Sequence, residues 1–169
     1  MASLDALIHD VVASGVNPSR LVLGGFSQGG AMTLLTGLTT ATKLAGLFVL
    51  SGRLPLRNQI KSMISSHAPL TPIFWGHGTA DPLVTHALGR ASADFVISEL
   101  GVATAPPVSL SSRILGWLGP NPERPRTTPT GLGFHSYLGL AHELGNEELD
   151  DLASWLKALL PPLSTDDAQ

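Results

Sequence analysis

The stretch LVLGGFSQGG, residues 21–30, joins an apolar run to a glycine-rich turn that holds a single serine, Ser27. The apolar residues predict a short buried strand over 20–25, and the pattern from Gln28 to about Leu38 predicts a helix. A strand that turns directly into a helix is the repeating unit of α/β folds.

Ser27 lies between two glycines that make a sharp turn possible. Gly25 and Gly29, two residues before and two after the serine, leave room for a strand-to-helix turn that exposes a nucleophile. The following helix directs its first backbone N–H groups at the same place. An ordinary structural turn whose serine has no catalytic role can have the same local sequence. This stretch alone therefore leaves open whether Ser27 is a nucleophile or a structural residue.

The rest of the chain repeats this alternation of apolar strands and helices. Each candidate strand is apolar nearly throughout, which is typical of parallel strands covered by helices on both faces. We therefore predict the α/β class, with a mostly parallel sheet flanked by helices. Further strands are expected at 44–50, 72–78 and 133–137, and helices at 3–14, at 86–100 and from an N-cap at Asn146 to Pro161.

Composition and charge narrow the possible function classes. The 169 residues are 43% hydrophobic and 14% charged with a net charge of −3, which predicts one globular domain over 1–169. No basic run is present, so a nucleic-acid partner is not expected. The lack of cysteine excludes disulfides and thiolate chemistry. Without a signal-peptide pattern or a membrane-length apolar run, a soluble cytoplasmic protein with no integral membrane association is expected.

A proline-rich segment interrupts the alternation at about 103–131, which holds six prolines. It is too long and too rich in proline for an ordinary connection in a compact domain. We expect a surface insertion there, with a short turn at 113–118 (RILGWL) that docks locally.

Two segments supply candidate partners for Ser27, in the order serine, acid, histidine. Asp81 follows the third expected strand, and His142 follows the fourth. All three are expected at one edge of the sheet, where open α/β sheets bind ligands. Asp81 could instead form a turn before Pro82, and a loop histidine is usually an ordinary surface residue. His77 is an alternative base, although it precedes the acid and its place suits packing of the loop.

Metal and dinucleotide sites receive little support from the sequence. No His-x-x-x-His spacing is present, and cysteine ligands are absent. The glycines around Ser27 do not have the G-x-G-x-x-G spacing of a dinucleotide-binding turn. We therefore expect neither a cofactor nor a metal.

Three motifs together resemble one known family, the acyl-protein thioesterases and their lysophospholipase and carboxylesterase relatives, which are α/β-hydrolases. GGFSQGGAM (24–32) resembles the turn that carries the family's nucleophile, and GHGTADPLV (76–84) resembles its acid loop. HELGNEELDDLASWLKALLP (142–161) resembles its histidine loop and last helix. The similarity is closest to fungal members and covers most of 3–103 and 132–163.

The resemblance implies a role for each matched residue. Ser27 would be the nucleophile, Asp81 the orienting acid and His142 the general base, and the backbone N–H of Gln28 would donate to the oxyanion. The implied substrates are S-acylated proteins, lysophospholipids or small esters, in the cytoplasm or also in the nucleus. The oligomeric state is not implied.

The sequence also departs from the family pattern. The family has several strands and a His-Gly-x-Gly-type loop upstream of the serine, so we expect a partial sheet with an exposed edge and without that loop's oxyanion donor. Two other functions therefore stay open. One is a truncated, non-catalytic remnant that binds lipid or a partner through the sheet edge, and the other is a general short-chain carboxylesterase.

Overall fold

The computed structural model describes residues 3–106 and 128–162, in which strands and helices alternate along the chain. The strands are β1 (Val22–Phe26), β2 (Gly46–Leu50), β3 (Ile73–Gly78) and β4 (Leu132–Tyr137). The α-helices are α1 (Leu4–Ala13), α2 (Gln28–Thr39), α3 (His86–Ser98) and α4 (Asn146–Leu159). Short 3-10 helices lie at Pro18–Arg20, Ile60–Ser62 and Ala68–Leu70.

The strands of the described ranges form one parallel sheet in the order β1-β2-β3-β4. Val22 pairs with Gly46, Leu47 pairs with Ile73, and Ile73 also pairs with Leu132 on its other side. Because every strand runs in the same direction, their C-terminal ends share one edge of the sheet. The predicted α/β class is confirmed, and the loops that follow β1, β3 and β4 all start at this edge.

Helices pack on both faces of the sheet, as the apolar strands predicted. Alternate residues of a strand point to opposite faces, so Trp75 of β3 contributes to one core cluster and Phe74 to another. The first cluster joins the sheet to α1, α2 and α3, and the second joins it to Leu152 and Trp155 of α4. The sheet, whose C-terminal edge carries these loops, is thus covered by helices on both faces.

The ends of two elements differ from the sequence predictions. The first strand begins at Val22 rather than at residue 20, because Pro18–Arg20 form a 3-10 turn. The prediction of Asn146 as an N-cap is wrong, since Gly145 is the N-cap and Asn146 is the first residue of α4. Position 145 packs close to the preceding loop, since a Cβ there would lie 3.1 Å from the end of the Leu140 side chain.

Only the two ends of the proline-rich segment fall within the described residues. Thr104 forms an isolated parallel bridge with Leu132, and the Ala105 N–H donates to the Leu132 carbonyl. The start of the segment therefore lies beside the first residue of β4. The local turn expected at 113–118 lies outside the described residues.

Candidate active site

Ser27 occupies a sharp turn between β1 and α2. Its backbone has φ 54° and ψ −117°, in the region that residues other than glycine rarely adopt. The Ser27 N–H donates to the Leu50 carbonyl at 2.8 Å, which fixes the turn against the neighbouring strand. A Cβ at Gly25 would lie 2.5 Å from the carbonyl carbon of Gly29, whereas a Cβ at Gly29 would meet no atom within 4 Å. The close approach therefore requires glycine at 25, and the expectation that it also requires glycine at 29 is wrong.

The Ser27 hydroxyl does not cap the helix that it precedes. Serine at an N-cap usually accepts a hydrogen bond from a backbone N–H of the first turn. In α2 the cap side chain makes no such bond. The hydroxyl is instead directed towards His142, with 2.9 Å between Oγ and Nε2.

Asp81 lies in the loop after β3, where its carboxylate is held on both oxygens. Oδ1 accepts hydrogen bonds from the Leu83 and Val84 N–H groups, each at 2.9 Å, and Oδ2 lies 2.7 Å from His142 Nδ1. Burial by itself raises the pKa of this carboxyl, but the hydrogen bonds from His142, Val84 and Leu83 outweigh it and the pKa lies below its ordinary value. Asp81 is therefore a buried, ionised acceptor.

His142 connects the other two residues from the loop between β4 and α4. An ionised Asp81 can only accept, so His142 Nδ1 carries the proton and Nε2 accepts from the Ser27 hydroxyl. The imidazole ring also packs against the Phe26 ring, with centroids 4.8 Å apart. The structure thus brings the three residues predicted from the sequence into one hydrogen-bonded chain.

Backbone contacts hold the acid and histidine loops together. The Thr79 N–H donates to the Tyr137 carbonyl, and the Ala80 N–H donates to the Leu140 carbonyl. The Gly139 N–H donates to the Thr79 hydroxyl at 2.9 Å. Hydrogen bonds between the two loops therefore hold Asp81 and His142 at this short distance.

The sequence prediction makes the backbone N–H of Gln28 an oxyanion donor. Gln28 is the first residue of α2, so its N–H has no partner within the helix and lies at the positive end of the helix dipole. It also follows Ser27 directly in the chain. Its role as a donor stays a prediction.

His77, the alternative base, lies on the other side of the acid loop. It is fully buried, its Nε2 lies 2.8 Å from the Val84 carbonyl oxygen, and it is 3.7 Å from the Asp81 carboxylate. His142 is the histidine that is hydrogen-bonded to Ser27. The contacts of Phe26 and His77 with this site were not predicted, although the position of His77 at a strand end had suggested packing of the loop.

Two features, a candidate metal cluster and a membrane-spanning helix, are absent from the described ranges. No group of three or more histidine, aspartate or glutamate residues with a geometry suited to a metal ion occurs in residues 3–106 and 128–162. No helix within those same ranges is long and apolar enough to span a bilayer.

The sequence is similar to a known protein family and to named proteins of other organisms. Residues 1–111 match the phospholipase/carboxylesterase family, a match that includes Ser27 and Asp81. Acyl-protein thioesterase 1 of Cryptococcus neoformans is 42% identical over 160 residues, which are 95% of this chain and 60% of that protein. Acyl-protein thioesterase 1 of Yarrowia lipolytica is 36% identical over 91% of this chain and 56% of its own length. The chain thus spans about 60% of the length of these relatives or slightly less.

Solved structures show the same fold. The crystal structure of Arabidopsis thaliana SOBER1 has a TM-score of 0.73 and 33% identity, over 93% of this chain and 61% of that one. Zea mays acyl-protein thioesterase 2 has a TM-score of 0.65 at 24% identity, over 93% of this chain and 64% of that one. The four-strand sheet and its helices therefore match part of the α/β-hydrolase fold.

Proposed function

The chain belongs to the phospholipase/carboxylesterase family of α/β-hydrolases, and from this premise we propose that it is a serine hydrolase that cleaves acyl thioesters or esters. One observation carries the proposal, namely the hydrogen-bonded chain from Ser27 through His142 to Asp81. A serine hydroxyl becomes nucleophilic when an oriented base takes its proton.

Each residue has a defined role in the proposed reaction. His142 Nε2 takes the Ser27 proton while Oγ attacks the acyl carbonyl carbon, and the Gln28 N–H stabilises the resulting oxyanion. The imidazolium, held by Asp81, then gives its proton to the departing thiolate or alkoxide. In the second half-reaction water attacks the acyl-enzyme, with His142 again as base, and releases the carboxylic acid and free Ser27.

The proposed substrates are S-acylated proteins, which makes the chain an acyl-protein thioesterase, with lysophospholipids as a further class. The similarity to two fungal acyl-protein thioesterases supports this choice. A short-chain carboxylesterase is the second candidate, supported by a carboxylesterase of Arabidopsis thaliana that is 33% identical over 94% of this chain. A non-catalytic lipid- or protein-binding role is the third, and it requires that Ser27 be unreactive.

Labelling with a fluorescent fluorophosphonate tests the nucleophile directly. We expect the wild-type chain to be labelled and Ser27→Ala to be unlabelled, because the probe reacts only with an activated serine. Ser98→Ala removes an exposed serine at the end of α3 and should label as the wild type does. If the wild type is not labelled, or if Ser27→Ala still is, the hydrolase proposal fails for this chain.

A second assay separates the candidate substrates. Matched acyl thioesters and oxygen esters of short and long chain length would be compared by kcat/KM. Preference for long-chain thioesters supports the thioesterase, whereas preference for short oxygen esters supports the carboxylesterase. Turnover of none of these substrates, in a chain whose Ser27 is also not labelled, would favour the binding role.

A further inference from the structure

His77 is a buried imidazole that the proposed reaction does not use. It follows Gly76 on β3, is 0% exposed, and faces the first turns of α3. Its Nε2 lies 2.8 Å from the Val84 carbonyl oxygen. Because a carbonyl oxygen can only accept, Nε2 must carry the proton and donate it to Val84.

Val84 is held at both ends of its backbone. Its carbonyl accepts from His77, and its N–H donates to Asp81 Oδ1 at 2.9 Å. The same carboxylate places its other oxygen 2.7 Å from His142 Nδ1. A single residue thus links the buried imidazole to the carboxylate that orients the base.

The surroundings of His77 fix the ring in one orientation. It stacks on Phe134 with centroids 6.1 Å apart and an interplanar angle of 18°, and it meets His86 edge-on at 5.9 Å. Gly89 of α3 contacts the opposite ring nitrogen so closely that any Cβ there would collide with Nδ1. Nδ1 has no hydrogen-bond partner in the described part of the chain.

The environment also keeps the ring neutral. Burial lowers the pKa of His77, and the nearby His86 and His142 lower it further. The hydrogen bond to Val84 and the negative charge of Asp81 act in the opposite direction without outweighing burial. A neutral ring with its proton on Nε2 is the form that donates to Val84 and leaves Nδ1 unprotonated against Gly89.

We propose that His77 is a positioning residue that fixes the Asp81 loop, and through it His142, by donating a hydrogen bond from Nε2 to the Val84 carbonyl. The inference rests on the proposed function, because orientation of His142 matters only if His142 serves Ser27. His77 itself touches neither Ser27 nor the reacting atoms.

A pair of substitutions separates the donated hydrogen bond from packing of the ring. His77→Gln keeps an N–H donor at about the position of Nε2, whereas His77→Leu fills a similar volume without a donor. We expect His77→Leu to slow fluorophosphonate labelling of Ser27 by about 10-fold to 10²-fold, and His77→Gln to recover most of the rate, because small displacements of catalytic groups are costly. Labelling is measured below the lowest thermal midpoint of the variants.

Two outcomes overturn the inference while the wild type still labels. Wild-type rates in both variants show that His77 is not needed for positioning. Equal losses in both show that the ring fills space and that its hydrogen bond does not hold the loop. If His77→Leu fails to fold, Gly89→Ala replaces it. The new Cβ displaces the His77 ring while leaving its N–H donor intact. An unchanged rate of Ser27 labelling in Gly89→Ala also overturns the inference.

A measurement without catalysis distinguishes this inference from the proposed function. The low-field proton NMR signal of His142 Nδ1–H reports its hydrogen bond to Asp81 whether or not Ser27 reacts. We expect the signal to weaken in His77→Leu and to persist in His77→Gln. An unlabelled wild type would reject the proposed hydrolase, whereas an unchanged proton signal in His77→Leu would reject only the positioning role of His77.

Discussion

At the scale of single residues, the site depends on conformations that the residues would not adopt alone. Ser27 holds a positive φ of 54°, and a strained backbone of this kind costs on the order of 1–3 kcal/mol. The strain is balanced by surrounding structure, including the hydrogen bond from its N–H to the Leu50 carbonyl. In return, the hydroxyl points away from its own helix and meets His142.

The carboxylate of Asp81 should make the stability of the chain depend on pH in the acidic range. Its folded-state pKa lies below the ordinary value, so its contribution is complete above the unfolded pKa of about 3.9 and is lost as pH falls through the folded pKa. We expect Asp81→Asn to lower the free energy of unfolding by about 1–3 kcal/mol at neutral pH, and this difference should shrink below about pH 4. Denaturant unfolding at a series of pH values measures it.

Asp94→Asn is the matched control for Asp81→Asn. Asp94 forms an ion pair with Arg90 in which both side chains are more than half exposed, so its loss should change stability little. A difference between wild type and Asp81→Asn that stays constant down to the lowest pH would contradict the lowered pKa of Asp81.

The sequence could predict which residues meet at the site, but not which hydrogen bonds hold their loops in position. Ser27, Asp81 and His142 were recognisable because their order, and their positions after successive strands, are visible in the chain. The donation from His77 to Val84 depends on which ring nitrogen faces which carbonyl. No pattern of residue types specifies that, because it follows from the packing of α3 against β3.

At the scale of elements, α4 packs against the sheet through a buried glutamate, at a position where an apolar residue would be usual. Glu148, in the first turn of α4, is 0% exposed, and its carboxyl contacts Gly76 of β3, where a Cβ would collide with it. Neither carboxyl oxygen has a hydrogen-bond partner of good geometry in the described residues. Burial raises the pKa of Glu148, opposed by the nearby N–H of Gly145, so the carboxyl is protonated more readily in the folded chain.

Replacing Glu148 by glutamine should therefore stabilise the protein at neutral pH. A carboxyl whose folded pKa is raised loses stability as pH rises above its unfolded pKa of about 4.3, because the unfolded chain ionises first. Glutamine does not ionise, so the advantage of Glu148→Gln should grow by up to about 1.4 kcal/mol per pH unit until the folded pKa is reached. Urea unfolding at a series of pH values from about pH 4, close to the unfolded pKa, to mildly alkaline pH measures the difference.

Glu147→Gln provides the control within the same helical turn. Glu147 is exposed, so its replacement should give no comparable growth of stability with pH. If Glu148→Gln shows the same pH dependence as Glu147→Gln, then the buried carboxyl of Glu148 is ionised in the folded protein.

The existence of each described element could be predicted better than its ends. Hydrophobic periodicity identifies α4, since its apolar face repeats along the helix, but its first residue depends on a cap. Asn146 is a better N-cap by residue type than Gly145, yet Gly145 takes the cap position with an extended backbone of φ −97° and ψ 146°, and the helix already includes Asn146. Similarly, β1 starts later than its apolar run because a 3-10 turn precedes it.

At the scale of the whole molecule, the strands of the sheet differ in how deeply they are buried. All residues of β3 are buried, whereas every residue of β1 is only partly buried. Within the described ranges, β1 pairs with β2 alone and no strand lies against its outer edge. The serine of the site therefore follows an edge strand of the described sheet, one whose residues are all only partly buried.

The direction of the backbone groups in β1 gives a test of this edge. The Leu21 carbonyl accepts from Ala45, and the Ser27 N–H donates to Leu50, so alternate residues from 21 to 27 direct their backbone groups towards β2. Leu23 thus faces β2, and Val22, the first residue of the strand, faces outward. Proline removes an N–H, which edge positions and first residues of strands tolerate and positions paired to a neighbour do not.

We expect Val22→Pro to cost clearly less stability than Leu23→Pro, which loses a ladder hydrogen bond worth about 1 kcal/mol in addition to any strain. Urea unfolding measures both, with Val22→Ala and Leu23→Ala alongside so that the loss of side-chain packing can be subtracted. Equal costs after this subtraction would show that the outward N–H of Val22 is hydrogen-bonded in solution and that the edge is covered. A small cost at Val22 alone means that the edge is open, so the strained turn at Ser27 is held from one side, through the Leu50 carbonyl of β2.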